Sequence, residues 1–141
     1  MTDAASYSTA AGEHLVLGQL LRLGVSAYLA QGPTQKGWDI IFKLGSDLKT
    51  VQVKTIGWPK EKAVNGSLTA GFDFLIVVLL DRDGPHPRYL ILAAADVEQY
   101  LSRENPERKV KGRRTLTVSN HKLETGGTLQ KHENNWSILC S

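Results

Sequence analysis

The chain has 141 residues, a length that fits one domain. Hydrophobic residues make up 41% and charged residues 22%, which excludes a disordered chain, and no apolar run approaches the ~18 residues of a membrane span. The formal net charge of +3 permits a polyanionic partner without establishing one.

The first element in the sequence is a helix with one apolar side. Residues 1–7 are expected to be a flexible N-terminus, and Ser8 or Thr9 is expected to cap the helix, which ends before Gly24. The predicted apolar stripe consists of Leu17, Leu20, Leu21 and Gly24. Glu13 lies at the edge of the face that is to be buried, because it precedes the apolar residues by three and four positions.

Short strands follow the helix. Alternation and turn residues predict strands over residues 25–31, 38–44, 49–55, 72–80, 88–94 and 115–119. The Gly-Ser-Asp turn at 45–47 makes the second and third strands a hairpin. The nearly all-apolar run 72–80 is typical of a central strand covered on both faces. Asp96 is expected to cap a short helix, and residues 129–135 to form a last helical turn.

This order of elements predicts an α/β or α+β fold, a sheet with helices against it, in a single domain of residues 8–141. Cys140 is the only cysteine, so no intrachain disulfide forms, and the N-terminal residues lack the pattern of a secretory signal. Both observations favour a reducing compartment, and we expect a cytoplasmic protein with no membrane association.

A polar cluster is predicted on the hairpin. Gln52 and Lys54 share one face of the third strand, and Asp39 opens the second strand beside them. Glu13 reaches the same place if the helix packs on the sheet. Carboxylate and amide oxygens, together with the carbonyl of Val53, are ligands that suit Mg²⁺, and a nearby lysine can act on water and stabilise charge on a phosphate.

The order helix-Glu, hairpin-Asp, strand-QxK and apolar strand resembles the PD-(D/E)XK nuclease superfamily in its glutamine variant. The resemblance spans Glu13 to about Leu92 and is greatest to members of the Holliday-junction-resolvase and homing-endonuclease types. It implies a restriction-endonuclease-like mixed central sheet flanked by helices and a Mg²⁺-dependent (or Mn²⁺-dependent) endodeoxyribonuclease acting on duplex or branched DNA. By this likeness Asp39 and Gln52 are metal ligands, Lys54 is the catalytic lysine and Glu13 is the acidic residue of the helix.

Other interpretations of these residues stay open at this point. Gln52 and Lys54 also fit a solvated strand face, Asp39 a turn residue, and Glu13 a favourable charge near a helix N-terminus. Because Gln52 brings no charge, the chain is alternatively a weak or inactive nuclease-fold module that binds DNA or a protein partner, of a regulatory or immunity type. A third interpretation is a structural protein in which Asp39 and Lys54 form only a salt bridge.

Basic loop residues are the candidates for contact with nucleic acid. They are Lys36, Lys60, Lys62, Arg108, Lys109, Lys111, Arg113 and Arg114. Cationic side chains on loops could line the phosphates of a duplex, although Glu104 and Glu107 also make residues 104–114 typical of a solvated loop. Duplex cutting by so small a subunit favours a homodimer.

Overall fold

In a computed structural model of the protein, the structure describes residues 4–30, 38–65, 71–102 and 114–140. The α-helices are α1 (Ala4–Arg22), α2 (Ala94–Val97) and α3 (Asn120–Leu123). The strands are β1 (Ala27–Leu29), β2 (Ile40–Leu44), β3 (Asp47–Gly57), β4 (Ala63–Val64), β5 (Phe74–Leu80), β6 (Arg88–Ala93) and β7 (Leu116–Thr117). Single 3₁₀ turns lie at Glu98–Tyr100, Gln130–His132 and Trp136–Leu139. None of the helices in these ranges is both long and apolar enough to span a membrane.

The main sheet has the strand order β1-β2-β3-β5-β6. β3 and β5 run parallel, while the other neighbouring strands pair antiparallel. β2 and β3 form the predicted hairpin through a two-residue turn in which Gly45 takes a φ of 63°, a conformation that glycine adopts without steric strain. The prediction of a mixed α/β fold with a flanked sheet is confirmed.

Helix α1 packs on one face of this sheet with a different stripe from the predicted one. It begins at Ala4, so Ser8 and Thr9 lie inside the helix rather than at its cap. Val16 and Leu20 are fully buried, whereas Leu21 is 52% exposed. The i, i+4 ridge that starts at Gly12 faces the sheet, and Leu21 is rotated about 100° away from Leu20.

Two apolar clusters cover the two faces of the sheet. The cluster on the α1 face joins the helix to the inward residues of β2 and β3, and the 3₁₀ turn at Trp136–Leu139 completes it. On the opposite face, α2, α3 and the small β4–β7 sheet pack over β5 and β6. That second cluster contains no buried residue of β1 or β2, so the described residues cover this face of the sheet at one end only.

Three predicted elements differ from those observed. Residues 115–119 do not join the main sheet, because Leu116–Thr117 pairs with β4 in a separate two-stranded sheet. The helix predicted after Asp96 begins earlier, so Asp96 lies within α2 and caps nothing. Residues 129–135 contain a single 3₁₀ turn, Gln130–His132. Trp58 and Trp136 are both buried.

Candidate active site

Asp39 immediately precedes β2, at the point where β3 continues without a paired strand on the β2 side. β3 has 11 residues and β2 has 5, and their pairing ends at Ile40 and Val51. The next free amide of β3 on that side, Val53 N–H, donates to Asp39 Oδ2 at 2.8 Å. The Asp39 backbone is also fixed, because its N–H donates to Val51 O at 2.7 Å and its carbonyl accepts from Ala30 N–H at 2.8 Å. The side chain is therefore held from several directions.

Gln52 joins the same carboxylate. Its Nε2 donates to Asp39 Oδ2 at 3.3 Å, a long hydrogen bond that places the amide directly beside the acid. Lys54 lies two residues further along β3, and strand alternation puts it on the face that Gln52 occupies. Both side chains are half-buried. Lys54 makes no ion pair with any residue that the structure describes, so the interpretation of Asp39 and Lys54 as a simple salt bridge is wrong.

Glu13 reaches the cluster from α1. Desolvation, the charge of Asp39 and a hydrogen bond between the two carboxyl groups together raise the pKa of its carboxyl to about 7, while the charge of His14 opposes them. An ordinary glutamate pKa is 4.5. The two acids are thus close enough for the protonated Glu13 carboxyl to donate to the Asp39 carboxylate, which a residue that only capped the helix would not do.

A glycine allows this approach of the helix. Gly12 is buried, and a Cβ on it would lie 1.8 Å from Thr55 Oγ1, so any side chain there would push α1 away from β3. Glu13 follows directly in the sequence. The sequence analysis missed this contact, although a glycine inside an amphipathic helix is a signal for close packing.

Thr50 and Asp73 form a second feature that the sequence analysis did not identify. Thr50 N–H and Oγ1–H donate to Asp73 Oδ2 at 2.9 and 3.2 Å, and Asp73 N–H donates to Thr50 O at 3.1 Å. These bonds tie the start of β5 to β3 two residues before Gln52. Asp73 therefore has a structural role, and the strand that carries the cluster is fixed along its length.

The donor chemistry of the cluster fits a hard divalent cation. The Glu13 and Asp39 carboxyl groups lie beside each other, an arrangement that a divalent charge would stabilise, and all the available ligand atoms are oxygens. No group of three or more His, Cys, Asp and Glu side chains suited to a metal occurs in the described parts of the chain. A cation would therefore need the amide oxygen of Gln52 and the carbonyl of Val53 in addition to Asp39 and Glu13.

The predicted basic residues are not gathered at one place. Lys60 and Lys62 are exposed beyond β3, and Lys60 lines a cavity of about 470 Å³ at the carboxyl ends of β3 and β5. Arg114 pairs with Glu98 and donates from Nε to Ser102 O at 2.7 Å, so it holds two segments of the protein together. Outside the described residues lie Lys36, Arg108, Lys109, Lys111 and Arg113.

Comparison with known proteins identifies solved structures of similar fold. No protein-family model and no curated protein matches the sequence, whereas six chains of solved structures match it. One is the bacterial homing endonuclease I-Ssp6803I, with a TM-score of 0.65 and 17% sequence identity over 99% of this chain and 92% of that one. The two chains share a fold. At this identity the likeness shows the fold alone, so the activity must be argued from the residues of the cluster.

Proposed function

We propose that the chain is a metal-dependent endodeoxyribonuclease of the PD-(D/E)XK type that hydrolyses phosphodiester bonds in duplex or branched DNA. The observation that carries the proposal is the convergence on one carboxylate, Asp39, of the Gln52 amide, the Val53 N–H and the Glu13 carboxyl. The shared fold with a homing endonuclease supports it.

Mg²⁺ or Mn²⁺ fits the oxygen donors as the cofactor, and Asp39, Gln52 and the Val53 carbonyl would hold it. When bound, the cation supplies positive charge to a phosphate oxygen and lowers the pKa of water. Gln52 would contribute its amide oxygen, which requires the amide to turn from the position in which its N–H₂ faces the acid.

Lys54 supplies the fixed positive charge of the proposed mechanism. Its ammonium projects from the face that carries Gln52, on a strand held by β5 and by the Thr50–Asp73 bonds. A charge held in advance stabilises the negative charge that develops on a phosphate without reorganising during the reaction. The same ammonium can orient the attacking water in line with the leaving oxygen. Glu13 lies beside Asp39 and so ties the site to α1.

The first test is cleavage of supercoiled plasmid and of branched DNA in Mg²⁺ and in Mn²⁺. Asp39→Asn and Lys54→Ala are each expected to lower the rate at least a hundredfold, as loss of a preorganised charge does in other enzymes. The matched controls Asp83→Asn and Lys131→Ala change exposed residues away from the cluster and are expected to cut like the wild type. Equal activity in all five proteins would refute the assignment.

A second candidate function follows from Gln52, whose neutral amide neutralises a cation less than a carboxylate would. Such a site could bind DNA or a protein partner without cutting. Isothermal titration with Mg²⁺ separates the two functions, because the binding module would show no heat of metal binding even at millimolar concentrations. A Gln52→Glu variant that gained metal affinity and cleavage would show that the site is built for a metal but weakened.

Localisation, assembly and the basic residues also remain proposals. We propose a cytoplasmic protein that acts as a homodimer, since two subunits suit the cutting of two strands. Lys60 and Lys62 are exposed near the carboxyl end of the strand that carries Lys54, and we propose that they contact phosphates.

A further inference from the structure

The uncovered end of the sheet carries apolar side chains that face solvent. Tyr28 of β1 is 51% exposed and Leu48 of β3 is 64% exposed. Both lie on the face opposite α1, because Tyr28 alternates with Ala27 and Leu29, and Leu48 alternates along β3 with the set that contains Val51 and Val53. Those four residues belong to the α1 cluster. The half-buried Ile41 of β2 lies between them, because it pairs with Tyr28 and with Thr50.

This face leads directly to the candidate active site. Leu48, Thr50, Gln52 and Lys54 are alternate residues of one strand, so they line the same side over roughly 20 Å of β3. We call the surface of Tyr28, Ile41, Leu48 and Thr50 the ribbon face. A phosphate that reached Lys54 would have to approach over the side of the sheet to which the ribbon face belongs.

The charges near the ribbon face favour a polyanion. β2 and β3 carry three lysines and one aspartate, namely Lys43, Lys49, Lys54 and Asp47. None of the three lysines makes an ion pair with a residue that the structure describes. Lys43 pairs with Leu48 and lies, like Lys54, on the side of the ribbon face, whereas Lys49 pairs with Phe42 on the α1 side. A second copy of the chain stacked on the ribbon face would bring Lys43 and Lys54 of the two copies together and would also cover the approach to Lys54.

We propose that the ribbon face lies in the major groove of duplex DNA and contacts base edges beside the bond that is cut. The inference rests on the proposed function and adds to it the surface that holds the substrate. A major groove about 12 Å wide admits a two-stranded β-ribbon, and the 20 Å from Leu48 to Lys54 corresponds to about 6 base pairs at 3.4 Å each. Leu48 and Tyr28 suit apolar contact with thymine methyl groups.

Photo-crosslinking tests the placement. In a Cys140→Ser background, Leu48→Cys carries a benzophenone maleimide, and Glu124→Cys serves as the control, because this exposed residue follows α3 at the other, covered end of the same face. The probe is a fluorescein-labelled duplex of randomised sequence, with Ca²⁺ in place of Mg²⁺ to prevent cutting. The expected result is a DNA adduct from position 48 and none from position 124.

Each other outcome overturns the placement. A protein–protein adduct at position 48 would identify a second copy as the occupant. If the wild type cuts plasmid but position 48 yields no DNA adduct, only the ribbon-face inference fails. If the wild type neither binds nor cuts DNA, the proposed function fails with it.

Affinity provides an independent measurement. Leu48→Asp places a negative charge on the ribbon face and is expected to weaken binding of the labelled duplex at least tenfold by anisotropy. Leu21→Asp makes the same change at another exposed leucine, on α1, and is expected to alter the affinity less than twofold. Equal effects of the two substitutions would contradict the inference.

Discussion

Substitution of Gly12 by alanine tests how the site is assembled. The added Cβ would lie 1.8 Å from Thr55 Oγ1 and 3.1 Å from Thr55 Cβ. A Cβ needs at least 3.0 Å, so the shortfall is about 1.2 Å, and α1 must retreat by about that distance because Thr55, a β-branched residue, has little rotamer freedom.

The expected loss of stability can be estimated from this overlap. Overpacking costs about 1–3 kcal/mol, and alanine returns up to about 1 kcal/mol of helix propensity. We therefore expect Gly12→Ala to lower the free energy of unfolding by about 1–2 kcal/mol, a fall of roughly 3–8 °C in Tm for a domain of this size. Metal affinity should fall as well, because a retreat of α1 carries Glu13 away from Asp39.

The same helix provides the control. A Cβ on Gly18 has nothing within 4 Å, so Gly18→Ala should stabilise the protein by about 0.5–1 kcal/mol. Thr55→Ala removes the clashing oxygen, and the double variant Gly12→Ala/Thr55→Ala should recover stability and metal binding. Urea denaturation and titration calorimetry with Mn²⁺ measure both quantities. If Gly12→Ala stabilises the protein as much as Gly18→Ala does, the close approach of helix and strand is wrong.

Three further predictions concern charge. Since the folded-state pKa of Glu13 lies near 7, its contribution to stability is complete below pH 4.5 and is lost as the pH rises through 7. Glu13→Gln should therefore raise the free energy of unfolding at pH 8 by about 1 kcal/mol, a value that allows for the partial exposure of the group, and by less at pH 5. Burial lowers the pKa of His132 below 6.5, so its contribution is complete above pH 6.5 and is lost as the pH falls. Tyr100→Phe, which removes the 2.8 Å hydrogen bond to Nε2, should lower stability by about 1 kcal/mol at pH 8. If the Tm of the Glu13→Gln variant, which lacks the opposing Glu13 effect, does not decline between pH 7 and pH 5, that result would contradict the His132 reasoning. Arg88 forms two hydrogen bonds to Glu133, at 2.8 and 2.9 Å, and a double-mutant cycle with alanine at both positions should give a coupling energy of about 1 kcal/mol; additive effects would mean that the pair contributes nothing.

The sequence was sufficient to predict the cluster because strand pairing is local there. A two-residue turn fixes the register of β2 against β3, and that register decides which side chains lie beside Asp39. The position of Glu13 at the edge of the buried face could also be read from its spacing to Val16 and Leu17.

The rest depends on contacts that the sequence pattern does not specify. Leu20 and Leu21 are equally apolar, and the choice between them follows from the packing of Gly12 against Thr55. The bond from Val53 N–H to Asp39 could not be predicted either, because it depends on where β2 ends. The sequence predicts an edge strand that includes Leu116–Thr117. Its pairing partner, β4, is two residues long and has no sequence pattern that predicts a strand.

The unequal lengths of β2 and β3 have a consequence for how this molecule could change over time. β2 ends before it can pair with Val53, and the Asp39 side chain accepts the hydrogen bond from Val53 N–H instead. A descendant without Asp39 would therefore lose this hydrogen bond as well as an acidic group. Among the described residues, Lys54 has no comparable structural role. In descendants that had lost the proposed cleavage activity, we expect Lys54 to be replaced before Asp39, because Asp39 also has a structural role.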